Sequence, residues 1–203
     1  MNVRASIDVS ALPDCGFTTR SPIWWGQFWM LVIESVAIFV LLAAYFYARM
    51  GFDVWPPPRI AVPDLTIGTI ATVLLLISMG PMYFSDKAVR EGHIARGMVL
   101  LLVGIAFAVA VLCIRWWELV HYNFKWSTGM FGSYAWCLVG LHTIHLVADT
   151  LESAVIFVIL WLRPTGGKQQ QAVEVDSLYW YFVVLIWIPI FLSIYVYAAV
   201  SKT

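Results

Sequence analysis

Charge is what this sequence has least of. Only 12% of its 203 residues are Asp, Glu, Lys or Arg, while 62% are hydrophobic and mean hydropathy reaches +0.83. That balance excludes an ordinary water-soluble domain and predicts an integral membrane chain. Twelve basic residues against twelve acidic ones leave no net charge, which removes the electrostatic case for a nucleic-acid partner or for adhesion to anionic headgroups. Cysteine is scarce as well. Cys15, Cys113 and Cys137 stand far apart without a CxxC pair, so no disulfide framework is expected, and the two within apolar runs read as small hydrophobes. The sequence lacks a Gly-rich phosphate loop, a nucleophile elbow, an HExxH zinc motif and a CxxCH haem attachment, which excludes the chemistries those motifs carry. Arg4, Asp8, Asp14 and Arg20 interrupt the first twenty residues, so no cleavable secretory leader is expected there and the first spanning run takes on targeting.

What the chain does have is long apolar runs. Five stand out, at Trp24–Met50, Ile67–Phe84, Gly97–Trp117, Gly132–Leu162 and Leu178–Val200, each near or above the roughly 20 residues that a helix needs to cross a bilayer. No ten-residue alternation suggests barrel strands, and lipid offers no water to backbone groups, so all five should be helices. The expected fold is all-α, an integral membrane bundle of five transmembrane helices over residues 23–203, preceded by a polar tail over residues 1–22. The breaks carry their own punctuation. Pro56-Pro57-Pro58 stops a helix, residues 85–96 read as a short charged turn, and Arg163–Asp176, with Pro164, Gly166, Gly167 and three glutamines, reads as a mobile polar connection.

Lys and Arg number seven in the tail and in the second and fourth connections, against five at most on the other side. The positive-inside rule then predicts a cytoplasmic amino terminus and an exported carboxyl terminus; the expected location of this multi-pass chain is a bacterial-type plasma membrane. Tryptophans near segment ends, among them Trp24, Trp25, Trp55, Trp116, Trp117, Trp126 and Trp161, fit interfacial aromatic belts.

Ionisable residues inside spans are costly and rarely face lipid, so they mark where function should be sought. Glu34 lies ten residues into the first run, about 15 Å along a helix and close to mid-membrane. It reads either as a proton-handling carboxyl or as a neutral acid that fixes helix packing; a hydrophobic carbodiimide should then modify it in preference to Glu91, Glu152 or Glu174. In the fourth run His142, His145, Asp149 and Glu152 follow at spacings that keep them on one helical face. A metal site is the lesser reading, because di-iron bundles use paired Glu-x-x-His motifs. A polar seam against the third helix is the greater, with Glu118 as partner and Arg115 at i−3 as its ion pair, the two anchoring an interface. Trp24, Trp25 and Arg49 are candidate lipid contacts. No catalytic residue and no metal ligand is assigned.

Several strings, in order, resemble one family. Gly26-Gln27-Phe28-Trp29 through Ile33-Glu34-Ser35 to Tyr45-Phe46-Tyr47 is similar to the glutamate-bearing helix of subunit III of the haem-copper respiratory oxidases, in its shorter five-helix form. Trp55-Pro56-Pro57-Pro58, Trp117-Glu118 with Tyr122, Phe131-Gly132-Ser133, Gly140-Leu141-His142-Thr143-Ile144-His145, and Tyr179-Trp180-Tyr181-Phe182 with Trp187 resemble the family's later landmarks. The chain departs from them in four places: Thr143 and Asp149 stand where glycines are common, Tyr181 where a closing histidine is usual, and Arg115 where glutamine is frequent. These departures suggest a polar network around Arg115, His145 and Asp149.

The resemblance implies a non-redox accessory subunit of a proton-pumping terminal oxidase in aerobic respiration. It implies direct packing on oxidase subunit I, with subunit II in the same complex and cytochrome c as electron donor. Haem and copper would sit in those partner subunits, none being bound by this chain, while phospholipid would fill grooves between its helices and support proton uptake. Glu34 matches the family's buried carboxyl, and Glu118, His142 and His145 its polar seam. A quinol oxidase or a nitric oxide reductase is the alternative partner. From a different class, a small independent proton-coupled transporter would use Glu34 and the fourth-helix stripe.

Overall fold

The computed structural model describes residues 21–57, 60, 62–162 and 167–201. The expected polar tail falls outside these except at its last two positions, and with it part of the Lys/Arg asymmetry: Arg4, Arg20, Arg59, Arg163 and Lys202 all lie outside the described residues. Five long helices cross the molecule, α1 over Pro22–Arg49, α2 over Leu65–Arg90, α3 over Ile94–Val120, α4 over Met130–Leu162 and α5 over Gly167–Phe191. The last continues through a π-helical stretch, Leu192–Tyr197, and a final turn, Ala198–Val200. All five are long and apolar enough to cross a membrane. With each helix crossing once, successive helices run in opposite directions. We call the side where α1 begins and α2 ends the near side, and the other the far side.

Two boundaries differ from the hydropathy reading. Residues 85–90, expected in a charged turn, complete α2: Arg90 bonds to Asp86 one turn back and to Glu174 of α5 at 3.2 Å, and Lys87 and Arg90 suit the negative end of the helix dipole. The connection to α3 is only Glu91-Gly92-His93. There the amide of Gly92 donates to Val89 and that of His93 to Ala88, with Gly92 at φ +83°, a Schellman close that calls for glycine. Second, Gln169–Asp176, expected in a mobile connection, is helical and belongs to α5. A run of glutamines and acids escapes a hydropathy window, yet Val173 and Asp176 in it are fully buried.

Helix starts follow local chemistry. Pro22 opens α1, where its missing amide hydrogen costs nothing, and the Asp64 carboxylate accepts from the Thr66 amide to cap α2. The fifth span sits innermost, packing on α1, α2 and α4, and is 50% buried against 17% for α1, which leans on α4 and α5 from outside. Several polar hydrogens inside the bundle are satisfied between helices, where hydrocarbon offers no water. The indole of Trp180 donates to Ser78 at 3.0 Å, that of Trp187 to Thr72 at 2.8 Å, and the Ser85 hydroxyl to the Gly97 carbonyl at 2.9 Å.

One aromatic leaves its expected place. Trp55, assigned to the interfacial belt, is 1% exposed. Its indole donates to the Tyr45 hydroxyl at 2.8 Å, and its ring packs among Tyr45, Phe52 and Phe131. A tryptophan just past a helix end can fold back over the core as readily as it can face headgroups, and the Tyr45 acceptor decides between them here. Trp116, Trp117, Trp126 and Trp161 are exposed at helix ends, as a belt requires.

Candidate functional site

Polar groups gather at two levels inside the bundle. The far-side level is built on the last turn of α3. Arg115 and Glu118, three residues apart on one face, meet at 2.6 Å, with their side chains 0% and 3% exposed. The expected ion pair is present, but in the core and not at an interface. Tyr195 completes it, accepting from Arg115 at 2.9 Å and donating to the second Glu118 oxygen at 2.7 Å, with the Tyr122 hydroxyl 3.0 Å away. The guanidinium lies 3.7 Å above the centre of the Trp187 ring, a cation–π contact that replaces hydration on that face. Tyr122 lies between spans; burial, reinforced by the Glu118 carboxylate, pushes its phenol well above the ordinary range.

Tyr195 reaches this pair because of local backbone chemistry. Pro189 supplies no amide hydrogen to the turn before it, and three residues later the chain widens into the π-helical stretch that carries Tyr195. Opposite its ring sits Gly68 of α2, where an added Cβ would stand 2.6 Å from the ring. The same stretch holds α1: the Tyr45 hydroxyl donates to the Ser193 carbonyl at 3.1 Å, and Arg49 to the Tyr197 hydroxyl at 2.8 Å.

The second level lies between mid-membrane and the near side, where α1, α4 and α5 meet. The Tyr179 hydroxyl faces both Glu34 oxygens, at 3.0 and 3.2 Å, and His145 stands 3.9 Å from Glu34. Glu34 keeps 20% of its side chain exposed. Deeper in, Asp149 is 0% exposed, within electrostatic range of Asp176, Glu152 and Glu34. Ser153 donates to one oxygen of Asp176 at 2.8 Å. His142 directs Nε2 to the Val183 carbonyl at 3.0 Å, which makes that nitrogen the protonated one.

The fourth-helix stripe therefore meets α1 and α5, not α3 as expected. The reason is rotational: spacing puts the histidines and acids on one face of α4, and the rotation of that helix in the bundle turns the face toward α1 and α5, although α4 also packs on α3. Among the described residues no hydrogen bond or ion pair joins Arg115 to His145 or Asp149, so the single network suggested for those three residues is two networks. Trp24 is half-buried and stacked on Phe28 at 5.4 Å, while Trp25 is 46% exposed beside it. Arg49 is taken up by Tyr197. Glu152 lines a groove with Ile23, Leu151, Val155 and Gln171 on the near side.

Sequence reasoning missed Tyr195, Tyr179 and Asp176 as members of these levels. Asp176 was hidden by starting the fifth run at Leu178. Its spacing of three from Tyr179 and seven from Val183 would have placed it on the inward face.

A five-helix membrane bundle whose acids, histidines and buried arginine turn inward on one another defines a polytopic membrane subunit. The chain belongs to the cytochrome c oxidase subunit III family, whose model matches residues 12–199. It is 29% identical over 174 residues to cytochrome c oxidase subunit 3 of Mycosarcoma maydis, covering 82% of this chain and 63% of that protein. To the same subunit of Synechocystis sp. it is 27% identical over 169 residues, 81% of this chain and 71% of the other. For Thermostichus vulcanus the identity is 25% over 170 residues, 82% of this chain and 83% of the other. The chain spans less than two thirds of the Mycosarcoma maydis relative's length.

Proposed function

We propose that this chain is a non-redox accessory subunit of a proton-pumping terminal oxidase of cytochrome c oxidase type, acting in aerobic respiration. The observation that carries the reading is the family match from residue 12 to residue 199. Inward-turned polar groups agree with it, because each side chain of the far-side level is engaged with another. The subunit packs against oxidase subunit I, in a complex with subunit II that holds the haem and copper and takes electrons from cytochrome c. Phospholipid suits the apolar groove between α3 and α4, where Leu112 and Val147 would meet acyl chains and Trp116, Trp117 and His121 the headgroup level. Lipid held there would brace the catalytic subunit and sustain proton uptake. The near side is cytoplasmic in this reading, and the membrane is a bacterial-type plasma membrane.

The test is a mild-detergent pull-down of the chain from its native membranes, followed by an absorbance spectrum and mass spectrometry. Haem bands, a large histidine-rich membrane subunit and oxygen consumption driven by reduced cytochrome c are the expected result. Oxygen consumption driven by quinol, or nitric oxide reduction, would reassign the partner. A colourless chain alone in intact lipid would overturn the subunit reading.

A further inference from the structure

The α1–α4–α5 level contains more acid than the bundle neutralises. Glu34, Asp149, Glu152 and Asp176 lie within electrostatic range of Asp149 or of one another; Asp149 and Asp176 are buried, Glu34 is half-buried and Glu152 is exposed at the rim. Among the described residues the buried or half-buried arginines are committed elsewhere: Arg115 to Glu118, Arg49 to Tyr197, and Arg90 to Asp86 and Glu174. The facing groups are Glu34 from α1, His145 and Glu152 from α4 itself, and Asp176 and Tyr179 from α5. Only His145 could bring a compensating charge, and its contact is with Glu34. Two uncompensated carboxylates, Asp149 and Asp176, are too costly to coexist in a low-dielectric interior.

A second observation is independent of charge. Buried polar atoms that find no protein partner occur at this level on all three helices, as others do on Arg115, Asp86, Ser177 and Tyr181. Both oxygens of Asp149 are among them, with one oxygen of Asp176, Nδ1 of His145, and the amide nitrogen of Gln27, which lies two turns before Glu34 on the same face of α1. Unpaired groups of this kind require small hydrogen-bonding guests. On the near side a mostly apolar groove is lined by Ile23, Leu151, Val155 and Val175 together with Glu152 and Gln171. Toward the far side, His142 bonds to the Val183 carbonyl and lies within electrostatic range of both His145 and Arg115.

We propose that the meeting of α1, α4 and α5 is a proton-binding site, in which Asp149 carries the proton and shares it through water with Asp176. The inference concerns the chain alone. A failed pull-down leaves it standing, and its own failure leaves the oxidase reading standing.

The test is infrared spectroscopy of the full chain in lipid bilayers at neutral pH, with exchange from light to heavy water. A carbonyl-stretch band of a protonated carboxyl is expected, shifting on deuteration, lost in Asp149→Asn and kept in Glu34→Gln. In Asp176→Asn the band should persist at a changed frequency, because the group that shares the proton has changed. Absence of the band, its survival in Asp149→Asn, or its loss in Glu34→Gln overturns the proposal. Should Asp149→Asn fail to fold, Asp176→Asn decides alone: an unchanged frequency overturns the assignment to Asp149.

Discussion

Tyr195 donates to Glu118 at 2.7 Å across 77 residues of sequence, and through that one bond the π-helical end of the chain closes over a buried ion pair. Without it, Arg115 and Glu118 would be an intrahelical pair of the kind common on helix surfaces. With it, they become the fixed centre of the far-side half of the bundle.

Glu118→Gln should be severely destabilising. The substitution leaves the Arg115 guanidinium buried at 0% exposure with no counter-charge, and breaking a buried pair from one side costs about 3–5 kcal/mol. Denaturant unfolding of the chain in detergent micelles, followed by tryptophan fluorescence, would measure the loss. A variant as stable as the parent would show that the pair is solvated.

Tyr195→Phe keeps the ring and removes the hydroxyl that joins Arg115, Glu118 and Tyr122. The expected cost is about 1–3 kcal/mol, since hydrogen bonds to charged groups are involved. A double-mutant cycle with Tyr122→Phe should show non-additivity, because both changes remove the same hydroxyl–hydroxyl contact.

Gly68→Ala tests the close approach of α2 to the π-helical stretch. A Cβ there would stand 2.6 Å from the Tyr195 ring, and forcing the ring aside in a packed core costs about 1–3 kcal/mol. Gly26→Ala in α1, where nothing lies within 4 Å of the added atom and no proline follows, is the matched control and should be neutral or slightly stabilising.

Alkaline pH should weaken the far-side level through Tyr122. Burial, with Glu118 beside it, raises this phenol above its unfolded value, which is about 10. The unfolded chain therefore releases the proton first. The stability contributed by the neutral phenol is complete below about pH 10 and is lost as pH climbs toward the folded value. Ultraviolet titration of tyrosinate should show one fewer late-ionising phenol in Tyr122→Phe, and that variant should lose less stability in alkali.

Number and placement of the helices were legible in the apolar runs, because a bilayer imposes a minimum length that composition must meet. Helix ends were not. Arg90 bonds to Asp86 one turn back and to Glu174 across on α5, and Asp176 accepts from Ser153 of α4, yet a hydropathy window counts each only as a break. The Arg115–Glu118 pair and the one-faced fourth-helix stripe could be read from spacing alone, since both are properties of a single helix. Which neighbour the stripe would face could not, because spacing fixes relative positions on a helix but not that helix's rotation in the bundle. Tyr195 was out of reach for a further reason. Its direction depends on a π turn after Pro189, and a wheel drawn at 3.6 residues per turn points it elsewhere.

That turn also makes the end of the chain sensitive to length. Each residue of an α-helix advances the wheel by about 100°. A deletion between Pro189 and Ser193 would be absorbed as the wide stretch relaxes to ordinary pitch, whereas one added residue has no slack to enter and would swing Tyr195 and Tyr197 off their bearings together. Glu118 and Arg49 would then lose their partners in a single event, one on α3 and the other on α1. The closing helix thus works as a key with two teeth cut to one register, and the gain of one amino acid there would do more harm than the loss of one.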